Sequence, residues 1–206
     1  MLMTLISAHL VLAVAAPLLT RALGQRAFWV AALVPAIGFG WLVSLAPGIL
    51  AGVPVVETIP WIPALGVSID FHLGLLQWVL ALIVTGIGAL VLVYCRWYFV
   101  ADAPQSRVVG LLTAFCAAMI GLVTADDLIA IYVFWEATTV FSYLLIGHDP
   151  TRRANRSAAI TALIVTTTGG LAMLVGIVAL GVTAGTFSLA AILAQPPTGA
   201  LPAIAA

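Results

Sequence analysis

The sequence predicts an all-α integral membrane protein, six transmembrane helices with both termini extracytoplasmic, and three observations carry that prediction. Of its 206 residues, 64% are hydrophobic and only 7% charged, where a soluble domain typically carries about 25% charged residues. Apolar runs of about 20 residues, the length that crosses a bilayer, recur along the chain. The charges between those runs are sorted by sign.

The first run, "MLMTLISAHLVLAVAAPLL", gives a helix over 2–19. Its end resembles a signal-peptidase site, but no positive residue precedes it and Arg21 follows it, so it reads as a retained helix. A second helix covers 27–47, kinked at Pro35, which membranes tolerate. The segment 48–71 is too polar and too rich in proline to span. Its "VVETIPWIPALGVSIDFHLG" alternates weakly and suits a small β-hairpin over the outer face. Helices follow at 73–95, 108–124, 127–147 and 157–183, and 184–206 reads as a short interfacial segment and a loop.

All seven basic residues are arginines, and all fall on odd-numbered joints: Arg21 and Arg26, Arg96 and Arg107, then Arg152, Arg153 and Arg156. Glu57, Asp70, Asp126 and Asp127 fall on even-numbered ones. That is the positive-inside pattern, with the arginine joints cytoplasmic.

One acid breaks the apolar pattern. In "TADDLIAIYVFWEATTVFSYLLIGHDP" Glu136 lies nine residues past Asp127, about 13 Å along a helix rising ~1.5 Å per residue. Half of a ~30 Å hydrocarbon core is about 15 Å, so the carboxyl falls near the midplane. A charge there costs at least ~2.5–3.5 kcal/mol. Either the group binds a proton or a cation lies beside it, and a site that alternates between the two is a proton relay. Thr139 and Tyr143 share its helical face, with Tyr132 one turn before. The plainer reading is a permanently neutral carboxyl holding two helices together. His148 offers an inner exit for protons, or is an interfacial histidine. In the sixth helix Thr161 and the Thr166–Gly170 cluster offer close helix packing, or at Thr166 a water-lined path.

The chain contains no lysine, so nothing in it supplies a midplane cation to Glu136. The counter-charge must come from further residues or another subunit. Cys95 and Cys116 sit in apolar runs and read as buried side chains. No ligand set for a metal or a redox cofactor is present, and no basic patch suggests nucleic acid.

"IYVFWEATTVFSYLLIGHD" resembles the fifth-helix signature, approximately F-W-E-L-T/S then S-x-L-L-I-G, of the antiporter-like subunits shared by Mrp-type cation/proton antiporters and respiratory complex I. "WIPALGVSIDFHLGLLQWVLALIVTGIGALVLVYCRWYF" is similar to the same family's stretch into its third helix. "ITALIVTTTGGLAMLVGIVAL" with "AGTFSLAAILA" looks more like the large A-type subunit of Mrp antiporters than complex I subunit 5, which more usually carries arginine and aspartate where Gly169 and Gly170 stand. The resemblance covers about residues 58 to 195. One departure is His72-Leu73-Gly74-Leu75, where the family often has an aspartate before the glycine.

The resemblance implies that Glu136 pairs with a lysine on a seventh helix, and that the pair helps drive protons toward a central lysine chain. It implies the N-terminal part of a larger helix bundle, opening the first of two inverted repeats. The protein would sit in a multi-subunit complex of a prokaryotic plasma membrane and exchange cytoplasmic Na⁺ for external H⁺. Its partners would be the other subunits and its own further helices. Two rivals stand beside it: a proton-translocating subunit 5 of NADH:quinone oxidoreductase, and a non-transporting membrane scaffold.

Overall fold

The computed structural model describes residues 1–62, 67–99, 105–149 and 151–197. The last part of the 184–206 tail, 198–206, and the centre of the 96–107 joint lie outside the described residues. Among these residues eight α-helices and two strands run in the order α1 (Leu2–Leu23), a 3₁₀ turn (Gly24–Arg26), α2 (Ala27–Ser44), α3 (Ala46–Leu50), β1 (Val55–Ile62), β2 (Val67–Leu73), α4 (Leu75–Tyr98), α5 (Gln105–Thr124), α6 (Leu128–Ile146), α7 (Arg153–Ala184) and α8 (Leu189–Ala194).

Among the described residues five helical runs are long and apolar enough to cross a membrane: Leu2–Ser44, Leu75–Tyr98, Ser106–Thr124, Leu128–Ile146 and Arg153–Ala184. The first contains both helices expected before residue 47. It is interrupted at Gly24, whose φ of 55° ends α1 in a conformation that glycine adopts at no steric cost. The chain then doubles back. A side-chain carbon on Gly38 of α2 would stand 2.7 Å from Leu5 of α1, so the absence of one lets the two helices close up.

The helix ends differ from the sequence reading where charge or proline suggests a boundary. The second helix stops at Ser44 rather than 47, because Pro47 starts the separate short α3. The last long helix begins at Arg153 rather than 157: Arg152 is extended at its N-cap, and the arginines form its first turn. At 32 residues α7 is about 48 Å long, beyond a ~30 Å core, so its arginine end projects or the helix tilts. Gly169 and Gly170 do not interrupt it.

Segment 48–71 holds the end of α3 and most of an antiparallel hairpin in which Val55 pairs Leu73 and Ile59 pairs Ile69. The hairpin closes one end of the bundle. Phe71 and Leu73 are fully buried and pack with Leu2 and Ile6 of α1, Leu42 of α2, and Ala117 and Ile120 of α5. Burying side chains of that size is worth roughly 1.5–3 kcal/mol each. At the other end Leu12, Ala16, Phe28, Leu92, Cys95 and Val109 form a second core. α1 packs on α5, α2 on α4, and α5, α6 and α7 in succession.

The two ends differ in charge. Phe99 stacks on Phe28, with ring centres 6.2 Å apart, and meets His148 edge-on at 5.9 Å. This gathers the three arginine-bearing joints at one end. Asp126 lies at the hairpin end, where its N–H donates to the carbonyl of Asp70 at 2.8 Å.

Candidate functional site

α6 is fixed at its start by Asp127, whose Oδ1 accepts from the N–H groups of Ile129 at 2.8 Å and Ala130 at 3.0 Å. An aspartate there satisfies two donors that have no partner inside the helix and sits favourably on its positive end. Glu136 is then the ninth of 19 residues, midway along an otherwise apolar helix.

The Glu136 side chain is half-buried and turned toward α7. Its Oε1 is buried, and no described residue donates a hydrogen bond to it. Gly170, buried in α7, stands directly against that oxygen: a Cβ there would overlap Oε1, and would lie 3.6 Å from the indole Nε1 of Trp135. Bare glycine backbone therefore forms the wall of the carboxyl's recess. The phenol of Tyr132, one turn earlier on α6, is within electrostatic and hydrogen-bonding reach of the same carboxyl. A carboxylate oxygen buried without a donor is costly in a low dielectric. The recess leaves Oε1 open to a donor from outside the described residues.

The other expected residues fall around this centre to different degrees. Thr139 is buried, one turn along α6, and Tyr143 is half-buried one turn further. His148 lies beyond the end of α6, its Nδ1 3.1 Å from the carbonyl of Leu145 and its ring against Phe99. From Glu136 to Ile146 is about 15 Å of helix, so a proton needs Tyr143 or water between them. Thr166 is exposed, and its hydroxyl donates within α7 to the carbonyls of Ala162 at 2.7 Å and Leu163 at 3.2 Å. That hydroxyl is directed to its own helix rather than to Glu136.

Beside His148, Asp149 is held below the ordinary carboxylate range. Hydrogen bonds from the Thr151 hydroxyl at 2.6 Å and N–H at 3.0 Å do most of this, with the Arg152 guanidinium 3.2 Å away. Ionised at neutral pH, it is a poor proton donor.

Sequence alone does not assign Gly170 to the site. Its signal is there, two adjacent glycines in a threonine-rich helix, but which of them faces Glu136 depends on how α6 and α7 cross. Among the described residues no three His, Cys, Asp or Glu side chains come together as a metal site.

A carboxyl midway along one apolar helix, walled by the glycine of the next, defines a class. The chain belongs to the membrane subunits common to NADH:quinone oxidoreductase and Mrp antiporters. Residues 125–201, which hold Glu136 and Gly170, match the family described as "NADH:quinone oxidoreductase/Mrp antiporter, TM".

Its likeness within that class is to the large antiporter subunits. It is 36% identical over 167 residues to the A/B subunit of a probable K⁺/H⁺ antiporter of Rhizobium meliloti, covering 81% of this chain and 17% of that protein. It is 34% identical over 161 residues to the A1 subunit of a Na⁺/H⁺ antiporter of Staphylococcus aureus, covering 78% of this chain and 20% of that one. Among solved structures, a chain of the Mrp complex from Dietzia sp. DQ12-45-1b superposes with a TM-score of 0.86 at 33% identity, over 99% of this chain and 22% of that chain. A chain of respiratory complex I from Thermus thermophilus gives 0.77 at 25% identity, over 98% of this chain and 41% of that one. The chain thus spans about a fifth of the length of the curated relatives it matches.

Proposed function

We propose that this chain forms the N-terminal part of the large A-type subunit in a multi-subunit secondary antiporter that exchanges cytoplasmic Na⁺ for external H⁺, with Glu136 in the proton pathway. The observation that carries the reading is the Glu136 carboxyl, midway along α6, its Oε1 buried against Gly170 without a donor among the described residues. A carboxyl within the hydrocarbon core needs either a proton or a partner, and a relay passes between those two states. The donor that completes it comes from helices or subunits beyond this chain, since the chain has no lysine. Leu2–Ser44 crosses twice, giving six spans, with the arginine end cytoplasmic and the hairpin end outside. The likeness to the large antiporter subunits, those of K⁺ and Na⁺ antiporters in particular, favours transport over the redox-linked and scaffold readings.

The test is Na⁺- or K⁺-dependent collapse of ΔpH in everted vesicles carrying the complete antiporter. Glu136→Gln abolishes exchange and Glu136→Asp keeps part of it. Full exchange by the glutamine variant refutes the role. Near-native exchange by Glu136→Ala returns the residue to a structural bond.

A further inference from the structure

The outer faces of α2 and α4 carry a pattern that proton transfer does not use. On α4 an exposed apolar stripe runs from Leu76 through Ile83, Ile87 and Leu90 to Trp97. That is 22 residues, about 31 Å from first to last, which matches a ~30 Å hydrocarbon core. It ends at the arginine end in Tyr94, Trp97 and Tyr98, which are 60%, 66% and 63% exposed. Trp29 of α2, 45% exposed, meets Trp97 edge-on with ring centres 5.4 Å apart, joining the two helices at that level.

Cations flank the pair. Gln25 bridges the helices: its Oε1 accepts from Arg96 Nη1 and its Nε2 donates to the carbonyl of Phe99 at 3.0 Å. Arg26, the next residue, is exposed, and neither Arg26 nor Arg96 has an ion-pair partner among the described residues. Only one of Arg96's guanidinium nitrogens is engaged by Gln25, and no other acceptor for it is found among the described residues.

We propose that this corner binds an anionic phospholipid. Its acyl chains lie along the α4 stripe, its glycerol level is set by the Trp29–Trp97 pair, and its phosphate faces Arg26 and Arg96. A lipid fits better than a protein helix because the stripe has the bilayer's length and ends in aromatics where the headgroups begin. An anionic headgroup is selected because two arginines without an ion-pair partner among the described residues stand at that level.

The test reads tryptophan quenching in the complete complex, reconstituted with brominated phosphatidylglycerol in plain phosphatidylcholine, and with the labels reversed. The wild-type signal minus that of a Trp29→Phe/Trp97→Phe complex isolates the two indoles. Phosphatidylglycerol quenches this signal with an association constant at least about fivefold above phosphatidylcholine, the factor one surface arginine supplies. Arg26→Gln lowers the preference about fivefold; because Arg26 is exposed, that variant keeps the fold even if Arg96→Gln does not. Equal quenching by the two lipids overturns the proposal, as does a preference unchanged by Arg26→Gln. Quenching by neither lipid also overturns it, because a protein partner then covers the face.

Discussion

A carboxyl in the middle of a 19-residue apolar helix has to be neutralised by a proton or by a partner, and the side chain opposite decides how much room either has. At Gly170 there is none: a Cβ would overlap Glu136 Oε1. Gly169, its neighbour, has nothing within 4 Å of the equivalent position. Alanine favours a helix over glycine by about 1 kcal/mol at either site, so the backbone effect is common to both. Only the contact with the carboxyl differs. Gly170→Ala therefore displaces the carboxyl and lowers exchange by roughly 10- to 100-fold, the scale of an ångström-sized misplacement, while Gly169→Ala leaves it near wild type. Both are measured as the rate of cation-dependent ΔpH collapse, with complex assembly checked in parallel. Equal loss in the two variants would show that the glycines matter for packing alone. Glu136 is legible in the sequence because one acid in an apolar run needs no structure to stand out. Gly170 is not, because its role lies in the crossing of two helices.

The elements are joined by capping carboxylates, which the sequence shows only as markers of the membrane edge. Asp126 does more than mark an edge. Its Oδ2 accepts from the Ser188 hydroxyl at 2.7 Å and its Oδ1 from the N–H of Ala190 at 3.0 Å, while its own N–H binds Asp70. One residue thus ties the hairpin and the start of α8 to the start of α6. Asp126→Ala removes the side-chain part of this tie and costs about 1 kcal/mol, the usual value of a lost cap. Proteolysis should reach 186–194 first. Asp127→Ala costs a similar amount but loosens α6 itself, seen as faster amide exchange over 128–131. At the opposite joint the depressed Asp149 gives a pH dependence of fixed sign. Its contribution to the α7 start is present above the ordinary carboxylate range and is lost as pH falls through its own lower value. Thr151→Ala, which removes the strongest hydrogen bond to it, narrows that window from below in a titration of the Asp149 carboxyl by NMR. The ties of Asp126 to Asp70, Ser188 and Ala190 run between residues 56 or more apart in the chain, which is why helix spacing alone cannot reveal them.

At the scale of the molecule, the order of apolar runs is legible because lipid imposes length and composition on every span. The boundaries are less so, because an arginine reads as a loop signal whether it lies in a loop or, as in α7, in a helix that outruns the bilayer. The sided distribution of charge is the property with the largest consequence. Phe99 joins Phe28 to His148 and so gathers the arginine joints, while the hairpin gathers Glu57, Asp70, Asp126 and Asp127 at the far end. In the topology proposed above, a bundle polarised in this way inserts with its arginine end inward, and a doubled-back Leu2–Ser44 is what places Arg21 and Arg26 at that end. Single cysteines make this measurable once the buried Cys95 and Cys116 are replaced by alanine. Ala22→Cys and Ala154→Cys, both exposed at the arginine end, react with an impermeant thiol reagent from the cytoplasmic side only. Val56→Cys and Ala190→Cys, exposed at the hairpin end, react only from outside. If Ala22→Cys and Val56→Cys react from one side, the first run crosses once and not twice. Reaction of Ala154→Cys from outside and of Ala190→Cys from the cytoplasm would reverse the sidedness, and with it the direction proposed for proton movement through Glu136.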